Sequence, residues 1–347
     1  ENGILREKET LELLASGPYP CRNPAQNIAD LEAQIAANST GIHEVMKMIE
    51  HFGLSVVQAY MQHVQDNAEE SVRRVLDRLT NGEFVYPMDN GCQIKVKIDV
   101  NKEAREATID FTGTSPQYEG NYNAPSAVCL AAVLYVFRCL VGDEIPLNEG
   151  CLKPLKVIIP PKSIISPEYP AAVIAGNTEV SQGVTDALFG ALGVLASSQG
   201  TVNNFVYGND QYQNYETICG GTGAGPNHPG TSAVHSHMTN TKMTDPEVLE
   251  WRFPVRVDSF SIRHGTGGKG KFKGGDGIVR EVTFLESMKM TLLTSHRHTD
   301  PYGLEGGEAG ARGHNFIRRA DGTIEELPGN AESDMKPGDT FVMETPV

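Results

Sequence analysis

Two long stretches of helical hydrophobic spacing limit how the N-terminal part of this chain folds. Apolar residues recur at helical spacing over residues 28–52 and again over residues 55–79, and Gly53 interrupts the pattern between them. Because each stretch has one apolar face, that face must be buried against another element. The sequence therefore predicts two helices that pack as an antiparallel pair.

After residue 85 the hydrophobic pattern changes to that of strands. Residues 93–100 alternate between apolar and polar side chains, and residues 107–111 follow after a turn-prone segment, which predicts a half-exposed β-hairpin. Further strand-like segments recur to the end of the chain. They comprise residues 155–159, 205–208, 215–219, 252–263, 278–284, 288–295, 314–318 and 340–344.

Two apolar segments among these strands have helical length. They span residues 125–140 and 180–196, and Asn177 or Thr178 is the predicted cap of the second. The 36 glycines indicate many turns, so we predict a mixed, loop-rich α+β fold. Its predicted parts are a helical N-terminal segment (1–85), a central α/β region (86–250) and a mainly β C-terminal region (251–347).

Composition excludes two classes of function. A formal charge of −15 without a basic stripe would repel a phosphate backbone, so nucleic-acid binding is not expected. The longest apolar run, residues 127–137, falls short of the roughly 20 residues that a bilayer requires. The six cysteines form no CxxC pair and indicate reduced thiols in a cytoplasmic protein. Cys219 lies at the mouth of a glycine loop, where backbone dipoles would lower a thiol pKa.

Nucleotide-binding motifs are absent from the sequence. Residues 265–270 match G-x-G-x-x-G, but the glycine-rich residues that follow cannot open the helix that a dinucleotide site needs, and no phosphate-loop motif occurs. Two interpretations of residues 265–277 stay open. They form a twisted turn system, or a basic loop in which Lys269, Lys271 or Lys273 meets a phosphate or a partner subunit.

The strongest candidate site covers residues 215–226 and 234–247, which join a strand, a glycine loop, two histidines and a helix start. On an extended segment, His235 and His237 would point to one face. Proton transfer or substrate contact, metal ligation and structural hydrogen bonding all remain open for this pair. Further metal-ligand candidates are His228, Asp245, Glu216 and Glu247.

Three other polar segments have structural interpretations. Thr244 at the N-cap and Glu247 three residues later predict a capping box, whose helix start would also attract an anion. Asn121 and Asn123 suit turns, although either is also a candidate substrate contact. The segment 296–298, His-Arg-His, is expected at the surface.

A family resemblance rests on six segments: GNYNAP (120–125), PLNEGC (146–151), YETICGGTGAGP (215–226), VHSHMTNTKMTDPEVLE (234–250), GTGGKGKFKGGDG (265–277) and PYGLEGGEAGARG (301–313). They resemble the hydantoinase B / 5-oxoprolinase family, and the resemblance runs from Asn27 to the end of the chain. It implies an ATP-dependent opening of a cyclic amide such as 5-oxoproline or a hydantoin. A hydantoinase A-like partner, separate or fused, would bind ATP and phosphorylate the amide, and this half would complete hydrolysis.

Under this resemblance the B half needs an activated water and donors for developing negative charge. The catalytic candidates are His235, His237 and Glu216. The substrate-binding candidates are Asn121, Asn123, Gly221, Gly223, Gly225, Thr239, Asn240 and Asp245.

The chain departs from the family pattern in three places. A region rich in His and Asp, with an expected divalent metal site, does not precede Glu1, and a glycine-rich tail does not follow Val347. Residue 183 is glycine where the family often has arginine. We therefore expect a fragment that is inactive alone and works in an oligomer. Two alternatives remain: a subunit of an acetone- or acetophenone-type ketone carboxylase, and a non-catalytic assembly scaffold.

Overall fold

The computed structural model of the protein describes residues 3–17, 20–21 and 23–347. The chain divides into two compact units, one that ends at Asp66 and one that runs from Asn67 to Val347. The helices and strands are mixed, which confirms the predicted α+β class. The predicted boundaries at residues 85 and 250 stay a prediction. Among the helices of the described residues, none combines the length and the apolar character that crossing a membrane requires.

Helices make up the first unit. They are α1 (Glu7–Ala15), α2 (Pro24–Phe52) and the first part of α3 (Leu54–Leu76), which continues into the second unit. Asn23 caps α2 by accepting a hydrogen bond from the Gln26 N–H at 3.2 Å.

The predicted antiparallel pair is wrong, because α2 and α3 do not lie side by side in the described chain. Gly53, with φ 86°, ends α2, and α3 begins at the next residue. Reversing a helix needs a loop of about two to five residues, and a single glycine cannot supply one.

The second unit begins with a four-stranded sheet covered by two helices. Its strands lie in the order β1-β2-β3-β4, with β3 and β4 parallel, and the predicted hairpin is the antiparallel β2–β3 pair. Their side chains form one apolar core with the helices. The bounds are β1 (Gly82–Pro87), β2 (Gln93–Asn101), β3 (Glu106–Asp110), β4 (Leu155–Ile158), α4 (Ser126–Leu140) and α5 (Ser181–Leu192).

Two further sheets pack face to face around a second core that is rich in phenylalanine and methionine. The Phe205 and Phe341 rings lie 4.6 Å apart across this core. The sheet orders are β12-β9-β5-β6 and β11-β10-β13-β8-β7. The bounds are β5 (Asn204–Gly208), β6 (Gln213–Thr217), β7 (Val255–Arg263), β8 (Gly277–Phe284), β9 (Met288–Leu293), β10 (His314–Arg318), β11 (Ile324–Leu327), β12 (Asn330–Met335), β13 (Thr340–Glu344) and the short helix α6 (Pro246–Arg252).

Both predicted helix caps are corrected by the structure. A π-helical turn, Gly176–Val180, leads directly into α5, so neither Asn177 nor Thr178 caps it. At α6 the N-cap is Asp245, which accepts a hydrogen bond from Glu247 N–H, and Pro246 takes the first helical position. The N-cap is therefore one residue later than Thr244, which places Val248 at the third helical position, so the predicted capping box does not form.

Candidate functional site

The glycine loop and the histidine segment form one packed unit. Val234 N–H donates to the Gly220 carbonyl at 2.9 Å and ties the two segments together. A Cβ on Gly223 would stand 1.9 Å from the carbonyl oxygen of Ala196, so only glycine fits there. This close approach brings the loop against the segment that follows α5.

A cavity of about 320 Å³ opens beside this loop, and both His235 and His237 line it. The histidine segment is not extended throughout, because His237 adopts φ 50° within a turn. The remaining lining residues are Tyr135, Leu195, Thr222, Gly223, His228, Pro229, Thr231, Val234 and Ser236.

His237 is 5% exposed and is surrounded by groups from two helices. Its Nε2 lies 3.4 Å from Oδ1 of Asp186, at an angle unlike that of a hydrogen bond. The Tyr135 hydroxyl lies 3.3 Å from Nδ1 on the other side of the ring. The ring of Phe189 packs against the imidazole at 5.2 Å. The imidazole is thus held by aromatic contacts and by one buried carboxylate.

The face of α5 toward this segment carries three residues that sequence analysis did not select. Gln182, Asp186 and Phe189 follow one another at helical spacing. Gln182 Nε2 donates to Thr239 Oγ1 at 2.8 Å, which fixes the end of the histidine turn. The sequence pattern that could have identified this face is a pair of polar residues, Gln182 and Asp186, four positions apart in an otherwise apolar helix.

His235 differs from His237 because its Nδ1 is buried without a partner, whereas the Nδ1 of His237 lies beside the Tyr135 hydroxyl. Burial lowers the pKa of His235 below its usual value, so the imidazole is neutral at neutral pH. A neutral imidazole beside a cavity can accept a proton. Three neighbouring polar atoms are also buried without partners: Gln182 Oε1, Ser236 Oγ and His237 Nε2.

Glu216, the third catalytic candidate, occupies the second core. Its carboxylate pairs with Arg280 at 2.9 Å, and each side chain is 1% exposed. Burial raises the pKa of Glu216, and the Arg280 charge opposes that rise. Glu216 is not among the lining residues of the histidine cavity, and its contacts join β6 to β8 across the two sheets.

The two asparagine candidates lie in different surroundings. Asn123 is fully buried, and its side chain donates to the carbonyls of Tyr118, Gly120 and Ala172 and accepts from Tyr118 N–H. Asn121 is exposed. The structure thus gives Asn123 a complete set of structural partners, while Asn121 remains a candidate contact.

The other predicted substrate contacts also lie in different parts of the structure. Thr239 lies at the histidine turn and Asn240 is exposed beside it, whereas Asp245 serves as the α6 cap. Gly221 packs against Gly275, where a Cβ would meet the backbone at 2.8 Å.

The two remaining positions lie beside the glycine loop. A Cβ on Gly225 would stand 2.3 Å from the ring of His228, so glycine lets this histidine approach the loop. Burial raises the pKa of Cys219 to about 11, opposite to the lowering that backbone dipoles at the glycine loop would give.

A second cavity, of about 350 Å³, lies on the other side of Gly223 and includes the 268–272 loop among its walls. Lys269 and Lys271 line it, while Lys273 pairs with Asp276 at 2.8 Å. Because β7 and β8 are antiparallel neighbours, the 264–276 segment connects two strands and opens no helix. This agrees with the rejection of a dinucleotide site.

The expected surface position of residues 296–298 is wrong for its first two members. His296 and Arg297 are buried, and only His298 is exposed. The Arg297 guanidinium donates to Asn203 Oδ1 and Asn315 Oδ1, each at 2.8 Å. Long-range partners of this kind leave no local sequence pattern.

Glu179 lies in the same buried region. Its carboxylate accepts hydrogen bonds from Asn204 at 2.9 Å and from Ser295 at 2.6 Å. Burial raises the pKa of Glu179 to about 7. We call Glu179, Asn204, Ser295 and Arg297 the Glu179 network.

Across the described ranges, no three His, Cys, Asp or Glu side chains converge to hold a metal ion. His228 lines the histidine cavity, whereas Glu216 pairs with Arg280 and Asp245 caps α6 by accepting from the Glu247 N–H.

Comparison with known proteins identifies the class. The family model described as Hydantoinase B/oxoprolinase matches residues 1–347, so the chain belongs to the hydantoinase B/oxoprolinase family. The resemblance seen in the six segments is thereby confirmed.

Individual relatives show which members of the family the chain is similar to. A 5-oxoprolinase from Dictyostelium discoideum is 43% identical over 334 residues, which cover 94% of this chain and 26% of the relative. The chain thus spans about a quarter of that protein. The crystal structure of an ATP-dependent caprolactamase from Pseudomonas jessenii matches 99% of this chain and 63% of its own, with TM-score 0.83 and 20% identity. An acetone carboxylase matches 92% of this chain and 52% of its own, with TM-score 0.79 and 14% identity.

Proposed function

We propose that this chain belongs to the B-type half of an ATP-dependent cyclic-amide hydrolase that acts on 5-oxoproline or a hydantoin. In this proposal a hydantoinase A-like subunit or fused domain binds ATP and phosphorylates the amide oxygen. The B-type half then completes hydrolysis. Identity of 43% to a 5-oxoprolinase and the ATP-dependent lactamase among the structural relatives support this assignment.

The observation that carries the proposal is the neutral His235 beside the histidine cavity. A water that attacks the activated amide carbon must lose a proton, and a neutral imidazole can take it. Because burial lowers the pKa of His235, the basic form persists at mildly acidic pH. The divalent metal that the resemblance implies has no converging set of three His, Cys, Asp or Glu ligands among the described residues.

The test uses this chain within the full-length protein, or reconstituted with a hydantoinase A-like subunit, ATP and 5-oxoproline. We expect His235→Ala to lower kcat by roughly 10²- to 10⁴-fold, the usual contribution of a general base. In the wild type, kcat should decrease on the acid side with a midpoint below pH 6.5, the ordinary histidine pKa, because burial lowers the pKa of His235.

His314→Ala is the matched control, because His314 lies at the surface and pairs with Glu326. It should leave turnover unchanged. If His235→Ala turns over as fast as the control while the thermal transition of both is normal, His235 is not the base.

A ketone carboxylase is the second candidate, favoured by the structural likeness to an acetone carboxylase. The same preparation incubated with acetone, bicarbonate and ATP distinguishes the two reactions. Carboxylation of the ketone without amide opening would replace the hydrolase proposal. Turnover of neither substrate, with normal binding of the partner half, would favour the scaffold.

A further inference from the structure

Asp186 is a fully buried carboxylate directly behind the histidine cavity. It lies on α5, and its oxygens accept hydrogen bonds from Ser197 Oγ at 3.3 Å and Ser198 N–H at 3.4 Å. Its own backbone carbonyl accepts from the Tyr302 hydroxyl at 2.6 Å. These contacts hold Asp186 rigidly, so the carboxylate faces His237 from a fixed position.

We propose that Asp186 positions His237, and that His237 in turn positions the Tyr135 hydroxyl at the cavity wall, so that Tyr135 and His235 together orient the attacking water. The proposal rests on the hydrolase function proposed above. Asp186 and His237 act through another group and are positioning residues. Tyr135 is the new residue that meets the water.

Hydrogen-bond chemistry gives each group its role. A carboxylate attracts the positive end of an N–H dipole even without hydrogen-bond alignment, so Asp186, 3.4 Å away, favours the His237 tautomer with its proton on Nε2. The lone pair then lies on Nδ1 and accepts the Tyr135 O–H at 3.3 Å. Burial raises the pKa of Tyr135, so the phenol keeps that proton. The Tyr135 oxygen also contacts the Cys139 side chain, and it keeps a lone pair that can accept a hydrogen bond from water.

The backbone supports a fixed geometry at His237. Its φ of 50° lies in the left-handed region, where a non-glycine residue costs on the order of 1–3 kcal/mol and persists only when its surroundings hold it. Phe189 against the ring and Gln182 on Thr239 provide that support. Strain of this kind concentrates at functional sites.

The test compares Asp186→Ala, Asp186→Asn and Tyr135→Phe in the full-length or reconstituted enzyme. Asp186→Ala should lower kcat roughly 100-fold with little change in KM, since the water loses its orientation and substrate binding is untouched. Asp186→Asn should restore most of kcat, because an amide oxygen still presents the negative end of a dipole to His237 while its nitrogen can donate to Ser197 Oγ. Tyr135→Phe keeps the ring and should lower kcat about tenfold.

Asp339→Asn is the matched control, because Asp339 is also buried but pairs with Arg319, in the β-rich part of the chain. Equal losses of kcat in Asp186→Ala and Asp339→Asn would overturn the proposal. If Asp186→Ala fails to fold, Tyr135→Phe decides: unchanged kcat overturns the role of the hydroxyl.

A second readout does not depend on hydrolysis. Isotope-edited NMR of the histidine rings reports which nitrogen of His237 carries the proton, and we expect the Nε2–H tautomer in the wild type and a mixture in Asp186→Ala. If Asp186 sets the His237 tautomer but no amide is hydrolysed, the proposed function is wrong and the positioning role of Asp186 stands. If the tautomer is the same in the wild type and in Asp186→Ala, the positioning role alone is wrong.

Discussion

The second unit holds two groups of buried polar side chains that use their hydrogen-bonding atoms very differently. In the Glu179 network both carboxylate oxygens have donors, and the Arg297 guanidinium lacks a partner at Nε alone. At the histidine cavity, the lining residues His235, Ser236 and His237 each have one buried atom without a partner, and so does Gln182, which contacts the histidine turn. An unpaired buried polar atom costs about 1–3 kcal/mol, so it persists where something other than stability is selected.

This difference assigns separate roles to the two regions. The Glu179 network joins β5 to the segment after β9 with nearly complete pairing, which stabilises the fold. Under the proposed function, the unpaired polar atoms at the histidine cavity would serve a ligand. Mutations in the first region should therefore act on stability, and those in the second on turnover.

The largest loss of stability is expected from Arg297→Met, in the Glu179 network. Removing the guanidinium leaves buried acceptors on Asn203 and Asn315 unpaired, and breaking such a buried network costs about 3–5 kcal/mol. Urea unfolding measures the loss. Turnover per folded molecule should be unchanged, and a stable variant with impaired turnover would reverse the roles of the two regions.

A pH effect of intermediate size should come from Glu179. Its native pKa of about 7 exceeds the ordinary 4.5, so the native state binds more protons than the unfolded state between these values. This contribution to the free energy of unfolding is therefore full below pH 4.5 and is lost as pH rises through 7. Since each pKa unit is worth about 1.4 kcal/mol, the loss is on the order of 3 kcal/mol.

Glu179→Gln provides the control for that titration. The difference between wild type and variant, measured by unfolding at pH 5 and pH 8, should shrink or reverse at the higher pH. A difference that is constant over this range would mean that the carboxylate is ionised at both.

The smallest change in stability is expected when serine is replaced by alanine once in each of the two regions. Ser295→Ala removes a donor to Glu179 and should cost about 1–3 kcal/mol. Ser236→Ala removes a buried hydroxyl without a partner, and with it that desolvation cost, so it should leave stability unchanged or raise it by up to about 1–3 kcal/mol. Equal losses in thermal unfolding would show that the two regions do not differ.

Most elements of the fold were predictable from hydrophobic spacing, and the strands that were missed share one property. β1, β11 and β12 each lie at the edge of a sheet. The sequence of β12, NAESDM, is largely polar because an edge strand has exposed neighbours. Edge strands need little hydrophobic patterning, so a search for apolar alternation passes over them.

The candidate site was predictable only in part. His235 and His237 stand out as a spaced pair, and they line one cavity. Glu216 is an equally good catalytic candidate in the sequence, but its carboxylate pairs with Arg280, which lies 64 residues further along the chain. Tyr135 and Asp186 look like parts of apolar helices until those helices are placed beside the histidine turn.

The sequence by itself determined the family, the α+β composition and the glycine loop, because these depend on local spacing and on residue types that permit close backbone approach. Tertiary structure alone decided which polar groups are buried and which of them meet. Burial sets the pKa of Glu179 and His235, and a contact such as Asp186 with His237 joins residues 51 positions apart. Desolvation and long-range packing depend on the assembled core, so no local pattern records them.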